Sequence, residues 1–279
     1  MKYFFSLSIS LILLTSCRPK NIDINVKAAE SKLVVFTHVI PNNIMIVALS
    51  KSFSVLDGNT TSDFSKLLIS GATVQMKFNG ETFNFYELNP GIYVSFEKAF
   101  QVNENYELFA CYGKDTIHSY TNMLAKINFN SITPIVEKNS SDTNVFINYS
   151  FNDIKGIDNW YLINVYKKLQ NSSSTDFVNY FNNGSNSLIK TILISDKEFG
   201  DTYESKDKLD NLNHNDSIVV TLSNINETYF NYLHQKNGTG SVFTQLNIEP
   251  ITYTSNLING YGFFNAHFPQ INYFDLGKY

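Results

Sequence analysis

Ala72-Thr73-Val74-Gln75-Met76-Lys77-Phe78 and Glu81-Thr82-Phe83-Asn84-Phe85-Tyr86 flank Asn79-Gly80. Side chains in both runs alternate between apolar and polar, the period of a strand with one face in a core. Asn-Gly is the dipeptide that most readily takes the two consecutive positive-φ positions of a tight hairpin turn. The stretch therefore predicts a β-hairpin, and the neighbouring sequence repeats its logic. Upstream, Leu33-Val34-Val35-Phe36 and Ile44-Met45-Ile46-Val47-Ala48-Leu49 are β-branched runs joined by Pro41-Asn42-Asn43, which reads as a second hairpin. Asp57-Gly58-Asn59 marks a loop. Downstream come Pro90-Gly91-Ile92-Tyr93 and the alternating strand Tyr106 to Tyr112. Short strands with turns at this spacing predict a β-sandwich over about 31–130.

A second β-rich region, 131–279, is expected after Thr133-Pro134 and the polar run Glu137 to Asp142. Asn144 to Phe151, Trp160 to Tyr166, Leu188 to Ile194 and Ser217 to Leu222 read as strands. The connection Asn152 to Gly156 and the loop Asn171 to Ser174 lie between them. Asn226 is placed to cap one short helix, with Tyr229, Phe230 and Leu233 on one face and Gly238 at its end. The fold class is thus mainly β. Outer-membrane barrel segments of about ten amphipathic residues do not recur regularly.

Composition narrows the function classes. The chain has 279 residues, 43% of them hydrophobic and 16% charged, so it is not disordered by composition. A formal charge of −4 gives no electrostatic case for nucleic acid. Basic charge is lysine apart from Arg18, which leaves bidentate clamps on phosphate or carboxylate almost unsupplied. His38, His118, His214, His234 and His267 are scattered, with no zinc-ligand spacing. There is no Gly-x-Ser-x-Gly elbow and no P-loop. No catalytic residue, metal site or cofactor is therefore assigned. Asp207 to Asp216 is an oxygen-rich stretch of the kind that holds calcium, but it lacks EF-hand spacing, and a solvated loop is favoured. Cys111 falls within the alternating Tyr106 to Tyr112 strand and is expected to be a buried free thiol. Asp115-Thr116-Ile117 and Asp216-Ser217-Ile218 resemble the O-glycosylation acceptor of one bacterial phylum.

The first residues point to export. Lys2 gives a positive start, Tyr3 to Leu14 an apolar segment too short for the ~20 residues that cross a bilayer, and Thr15-Ser16 a small-residue cleavage site. Leu14-Thr15-Ser16-Cys17 resembles the bacterial lipobox. That resemblance implies a signal peptide over 1–16, lipid on Cys17, and a polar tether over 17–30.

Further stretches resemble, in order, a Bacteroidota family of outer-membrane lipoproteins known only as a domain of unknown function. They are Leu33-Val34-Val35, Leu49-Ser50-Lys51-Ser52, Gly71-Ala72-Thr73-Val74, Gly91-Ile92-Tyr93 and Tyr106-Glu107-Leu108, then Phe151-Asn152-Asp153, Tyr161-Leu162, Ser195-Asp196 and Tyr229-Phe230-Asn231-Tyr232-Leu233. The most specific is Glu249-Pro250-Ile251 leading into Ser255-Asn256-Leu257-Ile258-Asn259-Gly260-Tyr261-Gly262-Phe263-Phe264, where Leu257 replaces the family's usual Ile. The resemblance implies an N-terminal immunoglobulin-like sandwich, a second β-rich domain, and a non-enzymatic accessory or binding role beside a TonB-dependent receptor of the outer membrane. A glycan-binding or hydrolytic surface lipoprotein using carboxylates is the alternative. Ser255, Asn256, Asn259, Gly260 and Gly262 form the candidate loop, for which a structural role is favoured, with positive-φ turns and Phe263 or Phe264 entering the second core.

If Cys17 carries the anchor, Cys17→Ala is expected to abolish membrane fractionation and leave uncleaved or soluble protein. Detergent partition and the mass of the N-terminal peptide check this.

Overall fold

The computed structural model describes residues 30–41, 44–53, 64–97, 102–138, 143–168, 186–238 and 253–279. Cys17, the signal stretch, the Asp57 and Asn171 loops and Glu249 to Ile251 lie outside them. The described chain is mainly β with one α-helix.

The Asn79-Gly80 hairpin forms as expected. It joins β3 (Thr73–Phe78) to β4 (Glu81–Asn89), with φ of 49° and 79° at the two turn residues. β1 (Leu33–Val39) and β2 (Met45–Lys51) pair antiparallel across the Pro41 turn. β5 (Ile92–Ser95), β6 (Glu104–Tyr112) and β7 (Asp115–Met123) complete the N-terminal run. β4 changes partner midway: residues 81–85 pair with β3, and residues from Tyr86 onward pair with β5. That switch folds the strands into two facing layers. Alternation sends Leu33, Val35, Met45, Val47 and Leu49 from one layer, and Val74, Met76, Tyr106, Leu108 and Ala110 from the other, into a common core. Tyr93 is 1% exposed yet polar at its tip, and its hydroxyl donates to the Ile69 carbonyl at 2.8 Å and accepts from the Ala72 amide at 2.9 Å.

β8 (Phe129–Lys138), β9 (Thr143–Asn152) and β12 (Thr202–Leu209) form a three-stranded sheet. β10 (Trp160–Lys168), β11 (Asn186–Ser195), β13 (Ser217–Ile225) and β16 (Gln270–Asp275) form a four-stranded one. They sandwich a second core around Val145, Ile147, Phe151, Tyr161, Ile163, Val165, Val220 and Leu222. Pro134 falls inside β8, not between regions. β8 is an edge strand, where a residue without an amide hydrogen is tolerated. The stretch expected as an oxygen-rich loop is divided: Asp207, Lys208 and Leu209 belong to β12.

α1 (Glu227–Gly238) begins as expected, with the Asn226 side chain accepting from the Tyr229 amide at 2.8 Å. Its buried face is Tyr229 and Tyr232, supported by Phe230 and Leu233.

The chain does not respect the expected boundary at residue 130. After α1, β14 (Leu257–Ile258) pairs with β7, and β15 (Tyr261–Ala266) pairs with β1 in parallel, before β16 returns to the second sandwich. The excursion between β13 and β16 thus finishes the first sandwich. The resulting strand order is β14-β7-β6-β3-β4-β5-β2-β1-β15. Its two ends are successive strands of the chain, so the excursion shuts the open side of the layers.

At the edge of the second sandwich lies a partly buried ionic knot. Asp207 accepts from Lys190 at 2.7 Å, Tyr149 at 2.8 Å and Ser205 at 3.0 Å, tying β12 and β9 to β11 of the opposite sheet. Burial pushes the Asp207 carboxyl up, but the bonds from Lys190, Tyr149 and Ser205 outweigh it and hold its pKa below the ordinary value. A depressed folded-state pKa gives stability that is fully present above the unfolded value, near pH 4, and is lost as pH falls through the folded value. Asp207→Asn is expected to cost about 1–3 kcal/mol at pH 7 and to flatten the fall in stability below pH 4. Urea melts across that range measure both effects.

Candidate functional site

The C-terminal motif proves to be a seam. Asn256 works as a one-residue strand partner: its side-chain amide donates to the Phe264 carbonyl at 2.7 Å, and its side-chain carbonyl accepts from the Phe264 amide at 3.0 Å. The same amide group reaches the Tyr120 carbonyl at 3.2 Å, and the Ser119 hydroxyl donates to the Asn256 backbone carbonyl at 2.7 Å. Ser255 turns inward on the loop, accepting from the Leu257 amide at 3.2 Å. Asn259 takes a left-handed φ of 65° and Gly262 a φ of 110°.

Gly260 is needed for a different reason from the one expected, because its φ is not in the left-handed region. A β-carbon there would stand 2.8 Å from the Ile117 side chain and 2.9 Å from the Leu33 carbonyl. At Gly262 the added carbon would stand 1.9 Å from the Val35 carbonyl oxygen. Neither phenylalanine sits wholly in the second core. Phe264 fills the first, while Phe263 packs at the junction with Leu162, Ile225, Tyr229 and Tyr232.

Asp207 and Asp216 do not converge on a common point. Asp207 faces Lys190, and Asp216 accepts from Lys167 at 2.8 Å and from the Asn213 amide at 2.7 Å. Cys111 is half-buried rather than buried. The strand sends Tyr106, Leu108 and Ala110 inward, so Cys111 shares the outer face with Glu107 and Phe109, its thiol beside Thr116 and the Gly113 carbonyl.

That outer face, on β3, β6 and β7, holds a candidate grouping of ionisable and aromatic side chains. The Gly113-Lys114 turn pairs Phe109 with His118 and Glu107 with Tyr120. His118 bonds through Nε2 to the Glu107 carboxylate, both side chains being about 30% exposed. The Tyr120 ring meets the imidazole edge-on, with centroids 4.5 Å apart, and Phe109 flanks it at 6.4 Å. Desolvation first and the Glu107 carboxylate second raise the Tyr120 phenol's pKa. Along the same rows, Gln75 donates to Asn84 at 2.9 Å. A carboxylate, an imidazole, a phenol and two amides thus stand together on a rigid sheet, an arrangement suited to hydrogen-bonded and aromatic contact with a bound surface. Sequence reading left His118 among scattered histidines. Reading Gly113-Lys114 as a two-residue hairpin turn would have brought it opposite Phe109 and diagonal to Glu107.

The seam's role gives a stability test. Gly262→Ala is expected to destabilise by about 3 kcal/mol or more, and Phe264→Ala by about 3–5 kcal/mol. Asn256→Ala is expected to cost roughly 1–3 kcal/mol through the unpaired Phe264 backbone. Thermal and urea melts measure these losses; unchanged melts would make the segment a ligand loop.

Among solved structures, the chain is similar to a DUF4785 family protein from Legionella pneumophila, at 12% identity and TM-score 0.25, over 70% of this chain and 53% of that one. The chain therefore spans about half the length of that protein. It is also similar to a chain of a cytokine receptor complex, at 5% identity and TM-score 0.26, over 87% of this chain and 96% of that one. No curated protein matches it. The family described as a domain of unknown function, DUF4249, matches residues 19–268, and the chain belongs to that family.

Proposed function

We propose that this DUF4249 member is a non-enzymatic lipoprotein of the outer membrane, anchored through Cys17, that works as an accessory or binding component of a TonB-dependent receptor system. The observation that carries the binding role is the Glu107, His118, Tyr120 and Phe109 group on the outer face of β6 and β7. Its parts are fixed by strand register, which lowers the ordering cost of making contacts. The two sandwiches are joined by α1 and the β14–β15 excursion, so a partner on this face pulls against one continuous body. The lipobox resemblance supports the anchor, and the ordered motifs support the receptor association.

Glycan binding is the second reading. The Tyr120 ring, 55% exposed, and the paired amides of Gln75 and Asn84 share one sheet face, the combination of ring and amide that contacts sugar hydroxyls.

Tyr120→Ala and His118→Ala are changes on the outer face. Each is expected to weaken co-purification with a TonB-dependent receptor from solubilised outer membranes by about tenfold, while leaving the melting temperature within a few degrees. A receptor recovered in equal amount with both variants would remove this face from the interaction. Polysaccharide binding lost in Tyr120→Ala, with no receptor recovered from wild type, would replace the first reading by the second.

A further inference from the structure

The opposite layer of the first sandwich has a contrasting outer surface. Alternation in β1, β2, β4 and β5 points Val34, Phe36, Ile46, Ala48, Tyr86, Ile92 and Val94 away from the core, and the exposed Leu88 sits at the bulge where β4 shifts register against β5. Ile44 and Phe96 extend the same rows. Tyr86, Leu88 and Phe96 are 63%, 61% and 63% exposed, and Ile44 is 43% exposed. Within these rows Ser50 and Asn89, the latter paired with Ile92, are polar and His38 stands in register with Ile46, but no lysine, aspartate or glutamate falls among them. Four adjacent strands, spaced by about 4.8 Å, thus carry a mainly apolar outer side, against the alternation to polar side chains normal on a solvated face. It is open at Ile44, Tyr86, Leu88 and Phe96, and covered at Val94 and beside Phe36, whose ring stands 6.3 Å from that of Tyr232 in α1. Exposed apolar surface of this extent marks a contact site.

Two features single out what covers it. The first is where the chain enters: β1 belongs to this sheet, and the described structure begins only three residues before it, at Glu30. On the reading that Cys17 carries lipid, residues 17–30 reach at most about 45 Å when fully extended. The sheet is therefore held close to a bilayer at a high effective concentration, and a modest affinity suffices to seat it. The second is the margin at the entry end. There Lys32 lies over the ring of Tyr261, the β15 partner of Val34, at 5.2 Å. Tyrosine and lysine together suit the headgroup layer, the ring at the apolar boundary and the ammonium among phosphates. Glu97 lies beyond Phe96 at the other end, outside the apolar rows.

We propose that the outer face of β1, β2, β5 and β4 lies on the phospholipid surface in which the chain is anchored. The inference rests on the Cys17 anchor. It orients the molecule, because the Glu107, His118 and Tyr120 face belongs to the opposite layer and then points away from the lipid.

The test uses full-length processed protein from cell envelopes, reconstituted in vesicles of phosphatidylethanolamine and phosphatidylglycerol. In a Cys111→Ser background, Tyr86→Cys and, as a control on the second sandwich, Leu188→Cys each carry an environment-sensitive fluorophore. Flotation with the vesicles is scored separately. The label at 86 is expected to shift to the blue and to lose about half its emission to headgroup-proximal quencher lipids, with no change at 188. Adding Leu88→Asp and Phe96→Asp, both at exposed positions, is expected to abolish quenching at 86 while flotation persists. A water-like signal at 86 in protein that floats overturns the docking and leaves the anchor standing. Equal quenching at 86 and 188 also overturns it. Failure of the wild type to float overturns the anchor and the docking together.

Discussion

The fold depends on one close approach. β15 lies against β1 so tightly that the Gly262 α-carbon faces the Val35 carbonyl with no room for a side chain. Parallel neighbours need a crossover, and here it runs from β2 to β14, taking in most of both sandwiches before β16 is added. The pairing of Val34 with Tyr261 closes a loop of more than two hundred residues, yet loop-closure entropy grows only logarithmically with length. The cost falls on rate, since contacts so distant in sequence form late. The first sandwich stays open at β1 and β7 until the end of the chain arrives. Cooperativity between the sandwiches follows from this, because neither end of the nine-strand order has a partner without the excursion.

Local rules made much of the fold legible. The Asn79-Gly80 turn, the Asn226 cap and most strands follow from side-chain period and turn chemistry, both of which act over a few residues. The missed elements share a cause. β12 is an edge strand whose residues are mostly polar or charged on both faces, so its period carries no hydrophobic signal. The boundary at 130 failed because nothing near residues 257–266 announces a parallel partner at 33–39. Phe263 and Phe264 are both buried, but neither lies in the second core where one of them was expected. Adjacent strand residues point to opposite sides, so they serve the junction and the first core respectively.

The motif that carried the family resemblance is also the seam. Asn256, Gly260, Gly262 and Phe264 each have a packing or hydrogen-bond reason for their identity. Residues fixed in this way serve how the chain closes and say little about what it holds. The proposed binding group lies elsewhere, on the outer side of β6 and β7.

Both outer faces of the first sandwich are set by register. One row pairs Phe109 with His118 and the next pairs Glu107 with Tyr120, collecting polar and ionisable groups; across the core, Ala48 stands against Phe36 and Ile46 against Val94, all four apolar. A one-residue slip in either hairpin would send these side chains into the core and the core into water. The turns at Asn79-Gly80 and Gly113-Lys114 and the seam at Gly262 prevent that slip. Positions far from either face therefore decide what each face presents, and a substitution at the seam reaches the binding chemistry through strand register without touching it.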